Sequence, residues 1–294
     1  MNPHVILYGL ITVMLLCWSG NYVAAKIAFR EVPPLLTMCL RTTISALLMI
    51  PIYWVESRKT RTQWTWREVR IVFAMGVLGM TLNQFFWTIG VARTTVVHSS
   101  MIMGTTPLWV LLMARAMGIE SITWPKVGGM AIAMAGLAML QVFRPQVSSS
   151  GPTLEGDFLV LLCALALGGM TAFGKRWKPK SGGVRIVGMG YGVGTLLLAP
   201  AWWISSRGFD YRAVSRGAWA GVVYMAVFSS ITGYLIYYYA LARIPASRMA
   251  AFQYLQPVFA TVMAMVILGE ELTAPLVAAG GIIFAGVYVT ERFG

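Results

Sequence analysis

The chain has 294 residues, 58% of them hydrophobic and only 11% charged, with a mean hydropathy of +0.71. A soluble domain of this length carries roughly twice that charge, and the apolar residues fall in long runs rather than short alternating ones, so they read as membrane spans and not as core strands. The net charge of +13 does not indicate nucleic acid, because the cations sit in short loops between apolar runs and form no basic domain.

The runs predict ten helices, over about 5–28, 34–54, 70–91, 96–116, 125–143, 156–174, 184–205, 217–241, 246–268 and 275–290. At about 1.5 Å per residue, all but the last are long enough to cross about 30 Å of hydrocarbon. The first run contains Val23-Ala24-Ala25, which imitates a signal cleavage site. No Lys or Arg precedes it and the run is long for a signal, so it reads as a retained first span. It carries Trp18 and Asn21 and ends at Lys26; Arg41 lies near the start of the second span. The third holds Asn83, Gln84 and Trp87, and the fourth His98, Thr106 and Pro107. A Pro/Ser/Gly-rich stretch from Arg144 to Pro152 marks the midpoint, and residues 146–153 are the expected linker between units 1–145 and 154–294. The seventh span has Gly188, Gly190, Gly192 and Gly194, two interleaved GxxxG patterns that signal close helix contact. The eighth carries Tyr234, Tyr237, Tyr238 and Tyr239, and the ninth Gln253, Gln256 and Pro257. Cys17, Cys39 and Cys163 all fall within apolar runs without CxxC spacing, as small core residues do.

The two halves repeat one another at an offset of 150 residues. Arg93 matches Arg243, Pro107 matches Pro257, Met113-Ala114 matches Met263-Ala264, and Glu120 matches Glu270. Pro125 matches Pro275, and Ala135-Gly136 matches Ala285-Gly286. Five spans per half is an odd number, so the second half enters the membrane from the opposite side. The charges agree: with the N-terminus inside, inner loops and tail hold about fifteen Lys and Arg and outer loops about seven. The predicted fold is therefore an all-α membrane protein of ten transmembrane helices in two inverted five-helix repeats. It is multi-pass in the inner (cytoplasmic) membrane, with both termini cytoplasmic. A duplicated unit of this kind places a binding site between its halves.

At this point the residues resemble a known family, the ten-helix EamA-type transporters of the drug/metabolite transporter superfamily. The first span has Trp18-Ser19-Gly20-Asn21 and then Lys26, similar to that family's opening Trp-Gly-x-Asn pattern ending in Lys; the second opens on Leu40-Arg41. The most specific stretch runs from Tyr239 through Ser247 to Gln256-Pro257-Val258-Phe259-Ala260 and Leu268-Gly269-Glu270. The first half repeats it loosely as Gly118-Ile119-Glu120. The resemblance covers nearly the whole chain. It implies a multi-pass carrier of small metabolites, commonly amino acids or their analogues, without naming the substrate.

Polar groups inside spans should face a cavity or one another, because facing hydrocarbon is costly. The candidate substrate-binding residues are Asn21, Asn83, Gln84, Trp87, Thr106, Tyr234, Tyr237, Tyr238, Gln253 and Gln256. Gln253 and Gln256, three apart, share a helical face with Pro257; Asn83 and Trp87, and Tyr234 with Tyr237 and Tyr238, do so in equivalent helices of the two halves. Lys26 and Arg41 are candidate charge contacts, and Pro107 and Pro257 matched helix kinks. Each has a plainer role: Tyr and Trp anchor span ends, of which Tyr239 is an example, Asn and Gln join helices, and long cations snorkel to headgroups.

No Asp or Glu lies in the middle of a span, which disfavours pumps for organic cations and obligate proton coupling through a carboxylate. No P-loop, paired acid and base, Ser–His arrangement or metal cluster occurs, so neither catalysis nor a cofactor or metal is expected. The expected partners are a small-molecule substrate and the lipid bilayer, not nucleic acid, with the chain a monomer or homodimer. The expected function is secondary export of amino acids or related zwitterionic or anionic compounds by alternating access. A carrier of phosphorylated sugars or nucleotide-sugars is the alternative, and an intramembrane enzyme a remote one.

Overall fold

The computed structural model describes residues 3–59, 64–94, 96–142, 153–177, 182–268 and 274–294. Outside these lie the linker except Thr153, the matched Glu270, and Glu271; the side chain of His98 is likewise not described. Every regular element among the described residues is helical. Six apolar helices are long enough to cross a membrane: Pro3–Ala28, Pro34–Arg58, Trp66–Arg93, Leu154–Trp177, Gly182–Ser206 and Arg216–Leu241. Two shorter apolar stretches are Met101–Ala116 and Trp124–Leu140. Large apolar side chains stand exposed in mid-helix, Ile50 at 62% and Leu196 at 76%. A soluble fold does not leave such rows uncovered, and a bilayer covers them.

In chain order the helices are α1 (Pro3–Ala28), α2 (Pro34–Lys59), α3 (Trp66–Gly76), α4 (Asn83–Arg93), α5 (Val96–Met103), α6 (Thr106–Ala116) and α7 (Trp124–Val142). They continue with α8 (Leu154–Trp177), α9 (Gly182–Ser206), α10 (Arg216–Tyr224), α11 (Gly233–Leu241), α12 (Ala246–Ala251), α13 (Leu255–Leu268) and α14 (Ala274–Phe293). Local chemistry sets the ends. Pro34 opens α2, where its missing N–H costs nothing. Thr65 caps α3 by accepting from the Glu68 amide at 3.3 Å, and Ser215 caps α10 by accepting from the Ala218 amide at 3.2 Å. Helix α6 stops at Gly118, whose φ of 66° only glycine adopts freely.

Four expected spans are not uniform helices. A π segment, Val77–Leu82, joins α3 to α4, and a second, Met225–Thr232, joins α10 to α11. The fourth expected span is interrupted between α5 and α6, with Pro107 in the first turn of α6. The ninth is α12, a short 3-10 turn and α13, with Pro257 as the third residue of α13. A proline in a first turn needs no partner for its nitrogen, so each half tolerates it by restarting the helix there.

The described residues form two compact units, and each draws on both halves of the sequence. The first gathers Met1–Ile89 with Trp177–Ala240, the second Gly90–Arg176 with Leu241–Gly294. In the first, α1 packs on α10 and the second π segment, and α2 on α9, while α9 also meets α3. Of the glycines in α9, Gly190 faces Gly76 so closely that an added Cβ at Gly76 would stand 2.6 Å from the Gly190 Cα. Gly192 has nothing within 4 Å, so the GxxxG contact uses Gly190 and Gly194, whose added Cβ would lie 3.0 Å from the Thr81 hydroxyl.

In the second unit α7 packs along α14, and α6 on α12. Gly129 and Gly136 of α7 meet Gly286 and Ile283 of α14 backbone to backbone. Glu120, in the turn after α6, ties this unit together. Its carboxylate pairs with Lys126 Nζ at 3.1 Å, accepts the Ala246 amide at 2.6 Å and the Ser247 amide at 3.3 Å, and receives the Ser247 hydroxyl. It thereby caps the start of α12 from the turn after α6. Burial by itself would raise this carboxyl's pKa, but the bonds from Ser247 and the Lys126 charge outweigh it and hold the pKa below the ordinary value.

Candidate functional site

A π turn spaces its hydrogen bonds five residues apart and presents carbonyls that an α-helix would keep to itself. The Asn83 amide reaches back to the Leu78 carbonyl, and the Gly233 amide to Phe228. The side chains of the first unit gather around these two loosened segments. The Trp18 indole donates to the Ser229 carbonyl at 3.0 Å. It gets there because position 233 is glycine: an added Cβ would stand 3.0 Å from the indole Cδ1. The Ser45 hydroxyl lies 2.7 Å from the Arg41 carbonyl of its own helix and 3.1 Å from the Ala226 carbonyl, its one proton serving either. The Tyr234 hydroxyl lies 3.1 Å from the Gly79 carbonyl and 3.0 Å from Asn83 Oδ1, its one proton serving either, and accepts from Gln84 Nε2 at 3.2 Å.

Three of the sequence candidates therefore meet directly: Asn83 and Gln84 at the start of α4, and Tyr234 at the start of α11. Gln84 and Tyr234 occupy equivalent positions of the two halves. An aromatic wall continues the cluster. The Trp18 ring lies 5.5 Å from both Tyr234 and Tyr237, and Tyr191 of α9 lies 6.5 Å from Tyr234. Tyr237 is fully buried and turns its edge to Tyr238. Trp87 packs instead on Tyr22, 5.4 Å away.

Arg41 enters the cluster from α2. It is 1% exposed, and its Nη2 donates to the Ser230 hydroxyl at 2.9 Å, with the Ser229 hydroxyl and the Met225 carbonyl each at 3.5 Å. Asn21 is buried in α1, and its Oδ1 receives no hydrogen bond among the described residues. Lys26, by contrast, is exposed in the last turn of α1, where a cation complements the helix dipole. Thr106, Gln253 and Gln256 belong to the second unit, with Pro107 and Pro257. The Thr106 hydroxyl is spent on the Met103 carbonyl at 2.6 Å. Gln253 is buried with an unbonded Nε2, and Gln256 is half-buried. Tyr239 is 38% exposed, as suits a membrane anchor.

Sequence reasoning missed Ser45, Tyr191, Ser229 and Ser230. Single hydroxyls pass unnoticed in an apolar run, because each can bond to the backbone of its own helix. The signals that were available are the Ser229-Ser230 doublet and a tyrosine set among the glycines of α9. The arrangement offers amides, hydroxyls, aromatic faces and one guanidinium inside membrane-spanning helices. Among the described residues it brings no cluster of His, Cys, Asp or Glu suited to a metal.

Comparison with known proteins bears on the family and the fold. The family model described as EamA-like transporter family matches the chain twice, over residues 5–142 and 154–292. An uncharacterized transporter of Archaeoglobus fulgidus is 27% identical over 94% of this chain and 95% of its own length. A protein of Streptantibioticus cattleyicolor named a probable terminal-alkyne amino-acid exporter is also 27% identical, over 77% of this chain and 74% of its own. A protein known from a crystal structure superposes with a TM-score of 0.78, covering 98% of this chain and 97% of that one at 17% identity, which shows a shared fold.

Proposed function

This chain belongs to the EamA-like transporter family, and from that premise we propose that it exports amino acids or related zwitterionic or anionic metabolites across the cytoplasmic membrane by alternating access. It is a multi-pass membrane transporter and not an enzyme. The observation that carries the substrate reading is the meeting of Asn83, Gln84 and Tyr234 inside the first unit. Amide and phenol groups there can grip the charged end of a small molecule, and Trp18 and Tyr191 offer faces to an apolar side chain. The relative named as an amino-acid exporter supports the same substrate class.

In this reading the fold is ten transmembrane helices in two inverted repeats, residues 1–145 and 154–294, joined by 146–153. Support comes from the double family match and from the matched irregularities: π segments in the third and eighth spans, and restarts beside Pro107 and Pro257. The loop charges support both termini inside. In a cysteine-free background, single cysteines at 145–153 are then expected to label from outside, and those at 55–69 only after permeabilisation. The reverse pattern would invert the topology.

The functional test is counterflow of a radiolabelled amino-acid panel in proteoliposomes. Tyr234→Phe and Gln84→Ala are each expected to weaken apparent affinity roughly tenfold, the worth of a hydrogen bond to a charged group. Tyr239→Phe should be mild. If the first two variants lose thermal stability yet keep the wild-type KM, the cluster joins helices and does not bind substrate. The alternative, a carrier of phosphorylated sugars, calls for two cations converging on one site. Arg185, the other buried cation described in the first unit, sits at the start of α9 beside the Trp64 ring, 5.6 Å away, which favours the singly charged ligand.

A further inference from the structure

We propose that Arg41 is the anchor for a single carboxylate on the transported molecule, which makes the site selective for monocarboxylates with an apolar or aromatic body. The inference deepens the export reading and rests on it for the identity of the cargo. Arginine stays charged at any pH a cell meets. Its guanidinium is buried, yet no carboxylate among the described residues pairs with it. The ionisable groups beside it are the neutral phenols of Tyr191 and Tyr234. The acids of the first unit lie elsewhere: Glu31 on the cap of α10, Glu56 near the end of α2, Glu68 in the first turn of α3, and Asp210 in the turn after α9.

Nη2 is satisfied by the second π segment, but Nη1 has no hydrogen-bond partner among the described residues. A buried ion without its counter-ion is unfavourable, and inside a membrane such a group marks a ligand path by default. What is missing is one unit of negative charge and an acceptor for Nη1. A carboxylate supplies both, with Tyr234 and Gln84 beside it for a second polar group. Arg41 is also only about 10 Å along α2 from Pro34, so a ligand need not cross the full span to reach it. Holding the anion would brace the π segment that Arg41 already touches, coupling occupancy to the helix most ready to change its turn.

The test is thermal unfolding of the purified full-length protein at constant chloride and ionic strength, with 3-phenylpropionate and its neutral amide as probes. The wild type is expected to bind the carboxylate about tenfold or more tightly than the amide. Arg41→Met is expected to abolish that preference and, by removing an unpaired buried charge, to leave the unliganded protein at least as stable as wild type. Arg41→Lys should retain part of the preference. Equal binding of the two probes by wild type, binding of neither, or an undiminished preference in Arg41→Met would each overturn the proposal. Should Arg41→Met fail to fold, the wild-type comparison and Arg41→Lys still decide. Counterflow separates the two ideas. Carboxylate preference with no amino-acid exchange removes the export reading and leaves the anchor, whereas normal exchange by both wild type and Arg41→Met removes the anchor alone.

Discussion

Replacing Glu120 with alanine is expected to cost about 3–5 kcal/mol of stability, the cost of stranding the other half of a buried ion pair. The side chains of Glu120 and Lys126 are 9% and 7% exposed, so water compensates for the lost carboxylate only in part. The loss would free Lys126 and also uncover the amides of Ala246 and Ser247 at the start of α12. Thermal unfolding of the purified protein in detergent measures the effect, and Glu120→Gln, which keeps an acceptor, should lose less. A pH series adds a sign. The pKa of Glu120 is lower in the folded state than its ordinary 4.5, so its contribution is complete above that value and fades as pH falls through the folded one. The melting temperature should therefore hold from roughly pH 7 to pH 5 and drop below, with a shallower drop in Glu120→Gln. An unchanged melting temperature in Glu120→Ala would mean that the pair contributes nothing.

Gly286→Leu is expected to abolish folded protein, while Gly281→Leu, five residues earlier on the same helix, is tolerated. A Cβ at 286 would stand 2.6 Å from the Gly129 carbonyl oxygen and 2.8 Å from the Ala133 Cα. Both are backbone atoms of α7 and cannot rotate aside. Even alanine should cost about 1–3 kcal/mol, the range for overpacking a filled contact, and leucine must part α7 from α14 altogether. Gly281 is exposed and meets nothing within 4 Å, so the two variants share composition and helix propensity and differ only in what they touch. Yield of monodisperse protein after detergent extraction distinguishes them. Comparable yields would show that α7 and α14 can move apart without loss.

Much of this molecule is legible in one dimension. Hydrophobic run length announces helices that cross a membrane, because hydrocarbon admits little else that satisfies the backbone. The 150-residue repeat announces a duplication, because matched prolines and glycines record matched backbone events. Asn83, Gln84 and Tyr234 stood out for a similar reason: a polar side chain in an apolar run must find a partner. Which partner it finds is not written in spacing. The π segments at Val77–Leu82 and Met225–Thr232 have no sequence signature, since the extra residue in the turn is stabilised by what packs against it: Trp18, Ser45, Arg41 and Tyr234. Arg41 and Lys26 look alike in sequence, both long cations toward one end of an apolar run. Tertiary packing alone buries the first among serines and tyrosines and leaves the second exposed. The same holds for the interleaving of the halves. Local patterning fixes each helix and its apolar face, but α2 chooses α9, and α7 chooses α14, through contacts between residues some 150 positions apart that no local pattern specifies.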